Sequence, residues 1–191
     1  DFKSSDGTGG VGGTITLKQI MDEPDSETTM LVDLKYADGS AVETTGHNFH
    51  IHELALTEEG AGACESASAG GHHNPNGLDT SSDVYMCDGS TFNSAVFTCE
   101  VGDLSGKHGS LTLSGAITGG KAFYTDVNLP LSGANSVSAR SIVVHAASSG
   151  GPRIGCGSLS VVVPRSVAAT FTDDGVTGSV EFRQQTEEDP M

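Results

Sequence analysis

The feature that most constrains this chain is a succession of short alternating or β-branched runs, each closed off by turn residues. The runs are Thr14–Ile20, Thr28–Lys35, Asn48–Glu53, Ser94–Cys99, Ser110–Leu113, Ala122–Leu129, Ser141–His145 and Leu159–Val163. Ala37-Asp38-Gly39, Gly119-Gly120-Lys121 and Ser132-Gly133-Ala134 separate some of them with turn chemistry. No segment keeps a helical period over a dozen residues. Eight strands at this spacing predict an all-β antiparallel sandwich or barrel. Composition agrees, since glycine makes up 26 of the 191 residues, about twice the usual share of roughly 7%. The polar stretch from Cys64 to Asn93 has the length of a loop that is functional or pinned by cross-links.

Nine Lys and Arg against 25 Asp and Glu give a formal charge of −16. That excludes a nucleic-acid binder, which needs basic patches, and disfavours docking on anionic membranes. No stretch approaches the roughly 18–20 apolar residues of a spanning helix. The four cysteines, Cys64, Cys87, Cys99 and Cys156, have no zinc-type spacing. Two disulfides in an oxidising, extracellular or cell-surface compartment are the natural reading, with three pairings left open by spacing alone. The chain opens at Asp1 without an initiator Met or a signal peptide and reads as a processed or excised fragment.

The chain repeats itself. Gly10-Val11-Gly12-Gly13-Thr14-Ile15-Thr16-Leu17-Lys18-Gln19 matches Gly175-Val176-Thr177-Gly178-Ser179-Val180-Glu181-Phe182-Arg183-Gln184, and each copy runs into an acidic segment containing Pro. The expected organisation is a tail over 1–9, one domain over 10–164, and over 165–191 a linker plus the first strand of a following repeat. The surplus strand must dangle, replace the first strand, or pair with another molecule by strand exchange through residues 175–184.

Histidines carry the chemistry. His50 and His52 stand two apart in a strand, so their rings share a face and begin a transition-metal site. A lone His-x-His is often just two surface histidines. Here His72 and His73 follow Gly70-Gly71, and His145 ends the apolar run Ser141–Val144. Such a strand-ending histidine is more often a satisfied core or rim residue than a ligand, so the weight comes from several positions together.

Five blocks then fall into one pattern. Gly46-His47-Asn48-Phe49-His50-Ile51-His52-Glu53 resembles the copper-ligand strand of the Cu,Zn superoxide dismutases. Cys64, followed by Ser68-Ala69-Gly70-Gly71-His72-His73-Asn74-Pro75, is similar to a second block of that family. Val101-Gly102-Asp103-Leu104, Ser141-Ile142-Val143-Val144-His145-Ala146 and Gly150-Gly151-Pro152-Arg153-Ile154-Gly155-Cys156-Gly157 continue it in the family's order, over about Gly10 to Pro164. The resemblance implies an eight-stranded Greek-key barrel. It implies copper ligands at His50, His52, His72 and His145, with His72 at the metal-bridging position. Arg153 falls on the arginine that attracts superoxide. Cys64–Cys156 becomes the family's disulfide, leaving Cys87–Cys99 as the second. His47 matches a histidine that braces loops, while His73 defaults to surface packing and His108 to a structural or exposed role.

The departures from the family pattern are as informative. The zinc histidines expected between His72 and Asp103 are absent beyond the adjacent His73, and Glu100 stands in the place of one of them. Asp103 with one imidazole makes a poor structural zinc site, which takes about four N, S or O ligands. Only seven residues separate His145 from Arg153, so the family's electrostatic loop is cut short. This combination resembles the copper-only superoxide dismutases and the tandem copper-only superoxide-dismutase-repeat proteins. It implies copper without zinc, with one-electron cycling of that metal turning two superoxide ions into dioxygen and hydrogen peroxide. Glu100 is expected to accept the N–H of His72 and Asp103 to brace the loop. Two other functions carry weight: a copper-storage module with the same ligands, and a structural extracellular repeat. The domain is expected to be monomeric, with neighbouring repeats as its partners.

Overall fold

A computed structural model describes residues 3–4, 10–20, 23, 25–40, 42–57, 62–87, 98–115, 120–148, 150–162, 165–173 and 176–184. The chain divides into two units, Asp1–Leu159 and Ser160–Met191. Among the described residues of the first unit, eight strands form two antiparallel sheets. They are β1 (Lys3–Ser4), β2 (Val11–Lys18), β3 (Thr28–Tyr36), β4 (Thr44–His52), β5 (Leu111–Leu113), β6 (Lys121–Asp126), β7 (Ser141–Ala147) and β8 (Arg153–Ser158). One sheet has the order β1-β8-β7-β4-β5 and the other β2-β3-β6. Two one-turn helices, α1 (Ser66–Ala69) and α2 (Leu104–His108), lie in the connections. No described helix is long and apolar enough to cross a membrane.

Alternation builds the core. In β3, Met30, Val32 and Leu34 are buried, while Leu31 between them is exposed. In β4, Phe49 and Ile51 point into the core, and in β7, Ile142 and Val144 do the same. Burying each such large side chain contributes about 1.5–3 kcal/mol. The opposite faces of β4 and β7 are therefore free to carry His50, His52 and His145.

The expected strands differ from the observed ones at the glycines. β2 begins at Val11 rather than Thr14, and Gly13 has φ 121°. A side chain there would run into the Asp33 carbonyl oxygen of β3, so the close strand approach requires glycine. The last strand of the domain is β8, whereas Leu159–Val162 lies outside any strand, with Val161 and Val162 exposed. Gly155 and Gly157 hid β8, because glycine has little intrinsic strand preference. Gly155 is small because Val11 packs against it, 2.9 Å from where its Cβ would stand. Of the expected strand Ser94–Cys99, residues 94–97 lie outside the described residues, and Thr98 and Cys99 are not in a strand.

Both disulfides are formed. Cys64–Cys156 ties the connection after β4 to β8 with a Cα–Cα distance of 5.5 Å. It closes 92 residues of sequence, which on a chain-entropy argument stabilises the fold by about 4–5 kcal/mol. Cys87–Cys99 closes 12 residues and stabilises by about 3 kcal/mol on the same argument.

The second unit is an antiparallel hairpin of β9 (Arg165–Asp173) and β10 (Val176–Gln184), with Val167 opposite Phe182 and Ala169 opposite Val180. The segment expected as a linker is thus itself a strand, and it pairs with the repeated strand within one hairpin.

Candidate metal centre

Two strands and one loop bring four histidines together. His50 and His52 stand on β4, on the face opposite Phe49 and Ile51, and His145 stands on the neighbouring β7. Ala63, Cys64, Ala69, Val143 and Cys156 form a small buried cluster on this side. That cluster packs the loop carrying His72 over the sheet.

The loop is also locked to β4 through the backbone. Glu53 N donates to Gly71 O, and His73 N donates to Ile51 O at 2.9 Å. Ile51 N donates to Gly102 O, and Gly102 N donates to His73 O, each at 2.9 Å. Gly102 is the hub of this triangle, since a Cβ there would run into Ile51 O and press on His73.

The rings are oriented one by one. His52 Nδ1 donates to Gly70 O at 3.0 Å, and His145 Nδ1 donates to Gly151 O at 2.8 Å. A carbonyl only accepts, so each Nδ1 carries the hydrogen and each Nε2 presents a lone pair. His50 Nδ1, His52 Nε2 and His145 Nε2 are buried with no hydrogen-bond partner. Ligand atoms of these three residues lie within 4.8 Å of one another. Buried polar atoms are ordinarily paired, so three such orphans on neighbouring imidazoles fit a set of metal-ligating nitrogens. Imidazole nitrogen suits copper, zinc, iron or nickel.

Burial, with the neighbouring His72, His145, His52 and Arg153 adding to it, pulls the pKa of His50 down to about 2. Burial lowers His52 to about 4, against the opposing hydrogen bond to Gly70. Burial also lowers His145. The trio is therefore neutral at physiological pH, the protonation state in which imidazole can bind a metal.

His72 sits beside the trio rather than within it. Its ring stacks on His50 with centroids 4.0 Å apart and lies 5.3 Å from that of His52. Its side chain is 37% exposed, and Nδ1 donates to Glu100 Oε2 at 3.0 Å. Glu100 is buried. Asp103 accepts from Gly106 N at 2.8 Å and from Tyr85 Oη at 2.8 Å, and its Oδ1 lies 3.7 Å from His50 Nε2. Arg153 is half-buried at the end of β8, donating to Cys64 O at 2.7 Å and Gly70 O at 3.1 Å. Gly70 O thus joins the arginine to His52.

The other histidines stand apart. His47 is buried and donates from Nδ1 to His145 O at 2.9 Å, while Nε2 lies 2.7 Å from Thr44 Oγ1. It braces the strand pair that carries His50, His52 and His145. His73 is buried and donates to Asn135 O at 3.0 Å, which corrects the expected surface packing. His108 donates to Asp126 Oδ2 at 2.9 Å and stacks on Tyr124, a structural role.

Three further contributors carried no sequence signal. Tyr85 links the disulfide loop to Asp103. Ser105 accepts from Phe49 N at 2.6 Å and donates to Phe49 O at 3.1 Å. Lys107 donates to Val101 O at 2.9 Å and Asn128 O at 3.1 Å and pairs with Asp126 at 2.7 Å, holding the segment between Glu100 and Asp103 from below.

Residues 11–159 match the copper/zinc superoxide dismutase family. The chain belongs to that family. The copper/zinc superoxide dismutase fold is also that of superoxide dismutase 5 from Candida albicans. One variant of that enzyme is similar to this chain with a TM-score of 0.54 and 22% identity, covering 80% of this chain and 82% of that one. A second variant gives 0.48 and 23%, covering 77% and 80%. By family, the chain is an oxidoreductase of the superoxide dismutase class, and copper binding is the family's cofactor property.

Proposed function

We propose that this chain dismutes superoxide at one copper ion held by His50, His52, His72 and His145, with no zinc, in an extracellular or cell-surface setting. The observation that carries the proposal is the set of three orphaned, buried imidazole nitrogens on residues whose ligand atoms lie within 4.8 Å of one another. Copper, when held there, supplies the one-electron exchange of the reaction.

The chain's own residues do the rest. His52 and His145 are held by the Gly70 and Gly151 carbonyls, so their lone pairs are aimed before metal arrives. Glu100 accepts the Nδ1 hydrogen of His72 and so keeps Nε2 available on the metal side. That is the orienting task a second metal performs elsewhere in the family. Arg153 places a fixed positive charge beside the trio and draws a small anion toward a protein of charge −16.

The remaining groups support a zinc-free site. Among the described residues Glu100 is engaged by His72, Asp103 by Tyr85 and Gly106, and His73 by Asn135. A structural zinc needs about four free ligands. The two disulfides support an oxidising compartment. Residues 165–191 are read as the opening of a further repeat, joined by its linker.

Pulse-radiolysis decay of superoxide by copper-loaded, zinc-free protein tests the function. Decay that is catalytic in protein is expected. Stoichiometric copper without turnover would leave copper storage as the function instead.

A further inference from the structure

The repeated segment can be compared in the structure over its described residues, Val11–Lys18 in β2 and Val176–Gln184 in β10. In β2, Val11 is buried in the core, and Ile15 and Leu17 pack against it. The strand runs antiparallel to β3, with Gly13 opposite Leu34 and Thr16 opposite Leu31. Gly13 adopts φ 121° and cannot carry a side chain because of the Asp33 carbonyl. In β10, Val176, Gly178, Val180 and Phe182 occupy the corresponding positions. Gly178 also has a positive φ, 150°, and among the described residues no atom stands within 4 Å of its absent Cβ. Val180 and Phe182 are 46% and 61% exposed, and Val167, opposite Phe182 on β9, is 67% exposed. Within the hairpin, the positions that β2 turns to the core are apolar, and Gly178 stands where β2 has the glycine of its close approach to β3.

We propose that the β9–β10 hairpin is a donor that docks on a second copy of this domain. There β10 takes the place of β2 along β3, with Gly178 against the Asp33 carbonyl and Glu181 opposite Leu31. The occupant is fixed by the structure itself, because the surface that fits this strand pattern is the one β2 already covers. Strand register is tightly specified where one face is buried, and a one-residue slip would turn Val180 and Phe182 to solvent. Exchange of an identical element between copies is a low-cost route to association. A hairpin donated forward in this way is a heterologous contact, so it would link successive domains head to tail. The inference rests on the reading of residues 165–191 as the start of a further repeat and is independent of the chemistry at the histidines.

The test uses the full chain. One preparation carries Gly13→Val, which drives β2 from its place, together with Leu31→Cys. It is refolded with an equal amount of full chain carrying Glu181→Cys. The expected result is a disulfide-linked species of twice the chain mass, with positions 31 and 181 joined in the peptide map. That species should be lost when Gly178→Val is added to the donor. A single full chain with Thr16→Cys and Leu31→Cys should close internally and serves as the register control. No 31–181 link while that control closes overturns the proposal, whether the Gly13→Val chain remains unfolded or stays monomeric. Placing the Gly175–Gln184 sequence at positions 10–19 of the full chain separates the two ideas. A folded product without the intermolecular link refutes the docking alone, and an unfolded product refutes the repeat reading and the docking with it.

Discussion

Three of the four histidines come from strands and one comes from a loop, and the two kinds are held differently. His50, His52 and His145 project from β4 and β7, whose opposite faces are fixed by Phe49, Ile51, Ile142 and Val144 in the core. Sheet pairing sets where they stand, and the Gly70 and Gly151 carbonyls fix the rings of His52 and His145. His72 depends on a loop, and its position is set by Gly102, Glu100 and the Lys107–Asp126 pair beneath them. The lesson is one of division of labour: the sheet places three histidines rigidly, and a polar network positions His72, the fourth ligand on the proposed reading, beside them.

Breaking the rigid half should have the largest effect. His50→Ala with His52→Ala is expected to abolish copper binding, checked by metal analysis after gel filtration. The far-ultraviolet spectrum should stay native, because both side chains lie outside the main core. Retained stoichiometric copper would show that the strand-borne pair does not hold the metal.

Breaking the loop half should weaken rather than abolish. Glu100→Ala leaves His72 Nδ1 without its acceptor. Loss of such an orienting partner typically costs 10- to 100-fold in metal affinity, measurable by competition with a chelator of known strength. Glu100→Gln keeps an acceptor oxygen and should fall between. Equal affinity in all three forms would remove Glu100 from the site's support.

Arg153 belongs to neither half and should affect rate without occupancy. Arg153→Ala is expected to slow superoxide decay about tenfold at low salt, the lower end of electrostatic steering. It should also flatten the dependence of rate on ionic strength at unchanged copper content. A variant that keeps the native salt slope would show that the attraction arises elsewhere.

The smallest effect concerns the clamp under the loop and appears in acid. Burial pushes the Asp126 carboxyl up, but Lys107 and the hydrogen bonds from His108 and Lys107 outweigh it, leaving the pKa at about 2 instead of 3.8. A carboxyl depressed on folding stabilises fully above its unfolded value. Its contribution is then lost as pH falls from about 4 toward 2. Denaturation midpoints of native protein and Asp126→Asn across this window should converge at the acid end. Parallel curves would contradict the clamp.

The same division explains what could be read in the sequence. His-x-His on an alternating strand announces a shared face, because strand geometry has a period of two. The core strands Thr28–Lys35 and Ser141–His145 were legible for the same reason. β8 was not, because Gly155-Cys156-Gly157 has a composition set by the close approach of Val11 and by the disulfide rather than by strand preference. Glu100 gained meaning only through its position in a family pattern. Lys107 with Asp126 and Tyr85 with Asp103 had no local signal at all. Each pair is about 18 residues or more apart in sequence and meets only when the loops close over the sheet. Repetition marked β10 as a strand, and 176–184 is one, but its partner β9 lay in a stretch expected as a linker.

The most direct test of the central claim is the metal content of protein equilibrated with equal copper and zinc, freed of loosely bound ions and measured by mass spectrometry. One copper and no zinc per chain is predicted, because three neighbouring imidazole nitrogens have no hydrogen-bond partner while Glu100, Asp103 and His73 are engaged by other groups. Stoichiometric zinc bound beside the copper would contradict the account.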